Sequence, residues 1–248
     1  IGTVAITINS LPVAYSVYGG GSYCAGGAGV NISMTGSETG VSYQLFKDGA
    51  PSGSPLAGTG ATLSFGLQTA AGVYTVIATN STSGCTRNMF GTASVAINAL
   101  PATFSVTGGG SYCSGGSGVL VGLSGSTAGI SYQLRIGGSD IGAPITGTGG
   151  VLSFGLRATP GTYDVVATNP MTGCTEVMSG SVNVVVNALP VTYVVTGGGN
   201  YCSGGTGVVI GLSNSVAGTN YQLFHGSTSL GSAVAGSGFP ITFGSHTM

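Results

Sequence analysis

The chain is short of charge. Its 248 residues hold only four Lys and Arg and five Asp and Glu, for a net charge of −1. Nucleic acid and anionic membranes are recognised through a basic footprint, so neither is expected as a partner. Calcium needs clustered carboxylates, and none are grouped here. Only two histidines occur, His225 and His246, and no unit but the last contains one. No apolar run reaches the length of a helical membrane span, so no membrane insertion is expected. The opening residues, Ile1-Gly-Thr-Val-Ala-Ile-Thr-Ile8, alternate and lack the basic stretch of a signal peptide. No segment sustains a 3.6-residue apolar period, which removes helices from the expected elements.

What is abundant is glycine, at 49 residues, together with 42% hydrophobic residues and a mean hydropathy of +0.47. Disordered chains are poor in apolar residues, so a packed core is expected instead. No three-residue glycine period appears, which excludes a collagen-like helix. The glycines gather in a recurring phrase, Gly-Gly-Gly-Ser-Tyr-Cys-x-Gly-Gly, at 19–27 and 108–116, and with Asn for Ser at 197–205. Its cysteines, Cys24, Cys113 and Cys202, stand 89 residues apart. A fixed period of this length marks a tandem array and decides the architecture before any motif is read.

A second phrase, Asn-x-Leu-Pro, ends at Pro12, Pro101 and Pro190. Proline removes a donor and holds the preceding residue extended, so these read as tight joints between repeats. The boundaries then fall at 12–100, 101–189 and a partial 190–248, with residues 1–11 as the last strand of a preceding repeat. On this reading the sequence is a segment of a longer repeat protein. Inside each repeat the apolar period is two. Val30, Ile32 and Met34 alternate, as do Val41, Tyr43 and Leu45; then come Leu63 and Phe65, and Tyr74, Val76 and Ala78. Short alternating strands separated by Gly-rich turns predict an all-β class: tandem immunoglobulin-like antiparallel β-sandwiches on an 89-residue repeat, strung as a rod of beads.

Each full repeat holds two cysteines 61 residues apart, Cys24 with Cys85 and Cys113 with Cys174. A structural metal site wants four ligands, and no histidine recurs to supply them. A disulfide within each repeat is the expectation, with buried free thiols the alternative. Such a loop would stabilise by about 4 kcal/mol in the chain-entropy model and implies an oxidising, extracellular setting. Cys202 is left over, its counterpart falling beyond residue 248.

A site carried by every repeat should recur, yet no charge does. Lys47 falls opposite Ile136, Asp48 opposite Gly137, Glu38 opposite Thr127 and Arg87 opposite Glu176. Paired acids for glycoside hydrolysis are missing from the third repeat, and no nucleophile-elbow pattern accompanies the serines. The glycine triplet leads into Tyr-Cys and a strand instead of a helix, so it reads as a turn and not a phosphate loop. No catalytic residue, metal or cofactor is assigned. Tyr23, Tyr112 and Tyr201, beside the cysteines, are the candidates for surface contact. Asn31-Ile-Ser33 and Asn80-Ser-Thr82 match a glycosylation sequon that the second repeat does not share.

The phrases Tyr-Cys-Ser-Gly-Gly, Tyr163-Asp-Val-Val-Ala-Thr-Asn169 and Thr172-Gly-Cys174-Thr resemble the immunoglobulin-like repeats of very large secreted surface proteins of Bacteroidota. That family includes gliding-motility adhesins of the SprB type and other proteins exported by the type IX system. The resemblance implies a cell-surface stalk or filament that holds an adhesive region away from the cell. Its partners would be neighbouring repeats, other copies in a filament or bundle, or surface polysaccharide. Two other readings stand beside it: a carbohydrate-binding array of a secreted enzyme, and a filament subunit that self-assembles by strand addition.

Overall fold

The computed structural model describes residues 4–247. Period-two alternation becomes strands throughout, and no helix forms among the described residues. The first repeat contains ten strands: β1 Val17–Gly19, β2 Gly21–Cys24, β3 Val30–Met34, β4 Val41–Lys47, β5 Ala50–Pro51, β6 Leu56–Ala57, β7 Leu63–Gln68, β8 Gly72–Asn80, β9 Thr86–Asn88 and β10 Ala93–Asn98. One sheet has the order β1-β3-β7. The other runs β2-β10-β8-β4-β5, with β6 also on β4 and β9 also on β8. The pairs are antiparallel except β2 with β10, which are parallel. Two facing sheets, with the first stretch of chain shared between them, are the strand plan of an immunoglobulin sandwich.

Alternation decides which side chains meet. Val41, Tyr43 and Leu45 of β4 point inward beside Tyr74, Val76 and Ala78 of β8, and Ile32 and Met34 of β3 complete the core. Each such aliphatic or aromatic side chain contributes about 1.5–3 kcal/mol by leaving water. The glycine triplet marks the change of sheet. After Gly19 the chain leaves β3, and from Gly21 it lies along β10. Gly19 and Gly20 have φ of +99° and +75°, and a Cβ on either would overlap the backbone oxygen of Asn31 or Ser94. The triplet is therefore a crossing between sheets, not only a turn.

The second repeat repeats the plan. Val106–Gly108, Val119–Leu123 and Leu152–Arg157 form the smaller sheet, and Ser131–Ile136 lies beside Gly161–Thr168 in the larger. Val121, Leu123, Tyr132, Leu134, Tyr163 and Val165 are its core.

By compactness the chain separates into two units. One comprises residues 1–109, 119–157 and 161–183 and contains all of the first repeat and most of the second. The other comprises residues 110–118, 158–160 and 184–248. In it, Gly110 to Cys113 run parallel to Val184 to Asn187. It also holds the third repeat, with sheets Val195–Gly197, Val208–Leu212, Ile241–His246 and Asn220–His225, Thr228–Ala235.

Residues 4–11, expected as a strand, pair with nothing here: Val4, Ile6 and Ile8 are 92%, 91% and 93% exposed. A strand exists through its partner's hydrogen bonds, and alternation alone does not supply them. Residues 1–3 of that segment lie outside the described residues.

Candidate functional site

The Tyr-Cys-x-Gly-Gly phrase ends β2. Because β2 and β10 are parallel, pairing Gly21 with Val95 and Cys24 with Asn98, Cys24 lies where the chain leaves the sandwich toward Pro101. This end is the exit pole. The Gly27 N–H donates to the Cys24 carbonyl at 2.9 Å and the Ala25 N–H to the Asn98 carbonyl at 2.9 Å. Gly26, with φ of +82°, occupies the turn position where a side chain is disfavoured. The Tyr23 ring lies over Gly27, whose Cβ would sit 3.2 Å from it, and its hydroxyl donates to the Thr69 carbonyl at 2.5 Å. Tyr112 does the same to Ala158, and Tyr201 to Thr247. The three tyrosines are thus struts with occupied hydroxyls. Tyr23 and Tyr112 are half-buried, and only Tyr201, at 39%, is exposed.

The other cysteine sits at the opposite end. Cys85 follows β8, and its carbonyl accepts the Asn80 N–H at 2.9 Å. From there β9 runs back along β8, and Arg87 donates to the Pro12 carbonyl at 3.1 Å. The Cys85 end is therefore the entry pole, next to the proline joint. Pro12 and Pro101 are buried, while Pro190 is exposed. The nine residues of β8 separate the poles by roughly 26 Å.

No disulfide spans that distance, since bonded cysteines have Cα atoms within about 7 Å. The expected Cys24–Cys85 pairing is therefore not formed, and neither is Cys113–Cys174. Cys24 instead bonds Cys174 of the second repeat, 150 residues away, with a Cα–Cα distance of 5.6 Å. Cys174 is buried; Cys85 is half-buried, and Cys113 and Cys202 are exposed thiols. Within this compact unit the Asn98-Ala-Leu-Pro101 backbone and the disulfide both join the first repeat to the second. The 61-residue spacing carried no information on which pole each cysteine occupies.

Recurrence tested on charges alone passed over residues that do recur. Ser37, Ser126 and Ser215 are buried in all three repeats. Their hydroxyls donate to Ala61, Gly150 and Phe239 carbonyls at 2.6–2.7 Å and accept the N–H of Thr59, Thr148 and Ser237. Five residues after the residue that follows each serine, a tyrosine hydroxyl accepts a backbone N–H: Glu38 to Tyr43, Thr127 to Tyr132 and Val216 to Tyr221, at 2.8–2.9 Å. The next residue, Gln44, Gln133 or Gln222, donates its amide to backbone carbonyls. The Tyr74 hydroxyl donates to the Ala70 carbonyl at 2.8 Å, a tyrosine corner. Burial raises the pKa of Tyr43 and Tyr74, keeping both phenols protonated.

The few charges act locally. Asp48, at φ +49°, accepts from Lys47 and from the Val73 N–H, both at 2.8 Å. Those bonds lower its pKa, the lysine first, and the carboxylate raises that of Lys47. Arg135 pairs with Asp164 across adjacent strands, and that bond raises the arginine's pKa. Both sequon asparagines are engaged: Asn31 bonds Ser33 and Ser64, and Asn80 accepts the N–H groups of Thr82 and Ser83. Among the described residues, no three His, Cys, Asp or Glu gather as for a metal. His225 and His246 line one apolar depression with Ile210, Leu223 and Phe224.

Architecture and recurrence define a tandem array of immunoglobulin-like sandwiches. No protein-family model matches the chain, and no curated protein matches it. Among solved structures it is similar to the human OSCAR ligand-binding domain at 14% identity, covering 71% of this chain and 96% of that one, with a TM-score of 0.30. Fibronectin(III)-like modules of Clostridium thermocellum CbhA share 16% identity over 69% of this chain and 94% of theirs, with a TM-score of 0.37. Sidekick-1 immunoglobulin domains 1–5 share 13% over 94% of this chain and 52% of theirs, with a TM-score of 0.34.

Proposed function

We propose that the chain is a structural and adhesive repeat segment of a long extracellular bacterial surface protein, a stalk or filament that presents adhesive regions away from the cell. The observation that carries this reading is what recurs every 89 residues: core, turn glycine, buried serine, glutamine clamp, cysteine and proline joint, with no charge in common. A catalytic or ligand site repeated through the array would leave a polar signature that is not spent on the backbone. The Cys24–Cys174 bond supports an oxidising compartment, as on a cell surface. The resemblance to Bacteroidota surface adhesins supports the finer assignment to gliding-motility or type IX-secreted proteins. The 12–100, 101–189 and 190–248 boundaries belong to the same proposal, since the sheets of successive repeats follow the proline joints.

The carbohydrate-binding reading is weaker. Of its tyrosines, Tyr23 and Tyr112 have half-buried rings and Tyr201 is exposed, and all three hydroxyls are committed to carbonyls. Electron microscopy of the purified full-length protein tests the proposal. A beaded fibre with a regular subunit is expected; isolated globular particles would overturn it. A glycan array tests the second reading, with no binding expected.

A further inference from the structure

The cross-repeat disulfide has two unused copies of its exit-pole half, at Cys113 and Cys202, and one of its entry-pole half, at Cys85. The exit-pole half is a strand end plus turn. Around Cys24 the Gly27 N–H donates to its carbonyl at 2.9 Å and Ala25 donates to Asn98. Around Cys113 the Gly116 N–H donates to its carbonyl at 2.9 Å and Ser114 donates to Asn187 at 2.8 Å. Register agrees too, Cys24 opposite Asn98 and Cys113 opposite Asn187. The entry-pole half is equally conserved in shape. Asn169 donates to the Cys174 carbonyl at 2.8 Å and Asn80 to that of Cys85 at 2.9 Å. The cysteine N–H donates to Thr172 Oγ1 at 3.3 Å in one and to Ser83 Oγ at 3.4 Å in the other.

Burial differs where geometry does not. Cys174, bonded, is 0% exposed, whereas Cys85, in the same loop, is half-buried. Cys113 is exposed in the turn that holds Cys24 half-buried. Both thiols share the backbone hydrogen bonds of the bonded cysteine at the equivalent position of the other repeat.

We infer that Cys24–Cys174 is one rung of a covalent ladder: along the array, the Tyr-Cys cysteine of each repeat bonds the Gly-Cys cysteine of the repeat that follows. Cys113 then belongs to the Gly-Cys position of the third repeat, and Cys85 to the Tyr-Cys of a repeat before the first. This rests on the tandem-array reading. It excludes a bond inside any repeat, because the two cysteines of one sandwich occupy opposite poles. Each joint would be crossed twice, by backbone at the proline and by sulfur beside it, which restricts rotation that a single-chain linker leaves open. Forming each rung turns two S–H bonds into one S–S bond. Two electrons and two protons pass to an oxidised thiol–disulfide oxidoreductase, whose disulfide becomes a dithiol.

Alkylation followed by tryptic mapping under non-reducing conditions tests the ladder, since Lys47, Arg87 and Arg135 separate the cysteines. In the 248-residue chain, fragment 1–47 is expected bonded to fragment 158–248, with cleavage after Glu176 placing the bond on Cys174. Three thiols, Cys85, Cys113 and Cys202, should be alkylated. Bonds 1–47 to 48–87 and 88–135 to 158–248, with one alkylated thiol, would overturn it. In the full-length protein Cys113 is expected bonded to a Gly-Cys peptide of another repeat; Cys113 alkylated there would overturn the ladder even with Cys24–Cys174 intact. Cys174→Ser should leave Cys24 alkylated, and re-pairing of Cys24 with Cys85 would overturn the polar separation. Because the mapping reads bonds and electron microscopy reads shape, failure of the ladder and failure of the stalk reading are distinguishable.

Discussion

Tyr43 and Tyr221 stand in the same phrase, Tyr-Gln-Leu, and make the same hydrogen bond to an N–H five residues earlier. Yet Tyr43 is fully buried and Tyr221 only half so. The turn chemistry around Ser37 and Ser215 is likewise matched, while the core is not: from residue 190 on, no apolar side chain among the described residues reaches full burial. The difference separates two kinds of order. The serine–tyrosine–glutamine knot is local and closes within about 25 residues of chain, as the bonds from Ser37 to Thr59 and Ala61 display. The core is non-local. It needs β8 and β10, for which the described residues of the third repeat show no counterpart.

The largest effect that would break this comparison is at the two tyrosines. Tyr43→Ala should cost the first repeat about 3–5 kcal/mol, the range for deleting a buried aromatic ring, and Tyr221→Ala about 1 kcal/mol. Hydrogen exchange of β4 and β8 amides against those of Asn220–His225 reads both; equal losses would refute the division into local and non-local order. Next come the serines. Ser37→Ala and Ser215→Ala each orphan a backbone N–H and should cost about 1–3 kcal/mol locally, by similar amounts, if the knot is independent of the core. Protection of the Thr59 and Ser237 amides measures it, and a loss confined to the first repeat would show that the knot depends on the core after all.

Tyr74→Phe removes only the corner hydrogen bond and should cost about 1 kcal/mol, lowering the melting temperature of the first repeat without unfolding it. An unchanged melt would remove the corner from the list of stabilising features. The smallest effect is electrostatic. The Asp48 pKa is held below its ordinary value of 3.8, so its contribution is complete above about pH 4 and is lost as the pH falls through the lowered value. That of Lys47, raised above 10.5, is lost only as the pH rises through the raised value. The melting-temperature gap between wild type and Asp48→Asn should therefore close as the pH falls below about 4; a gap independent of pH would assign Asp48 a purely steric part in its left-handed turn.

Strand positions were legible because alternation is a local property: Val41-Tyr43-Leu45 and Tyr74-Val76-Ala78 face the core as their spacing says. The class of fold followed from strand count and turn spacing. Disulfide partners did not, because a sequence interval of 61 says nothing about direction, and direction depends on β2 lying parallel to β10. The hydroxyl acceptors of the tyrosines beside the cysteines, Thr69 and Ala158 among them, were not legible because they lie 46 residues away. Ser37 and Gln44 were readable all along, since both recur in every repeat. A comparison restricted to charged positions passes over neutral groups that satisfy backbone.

The outer edge of the larger sheet has a consequence for how such chains behave side by side. β5 and β6 are two residues each, and Pro51 removes one donor from that edge. The second repeat breaks the same edge at Ser139–Asp140 and Ile145–Thr146. Charged side chains, lysine above all, are one common protection of exposed edges, and this chain has a single lysine. Interrupting the backbone does the work that repulsion does elsewhere. At that edge salt, which screens charge, would leave the resistance to pairing untouched, whereas β7 and Leu152–Arg157 are six-residue edges of the smaller sheets without such a break.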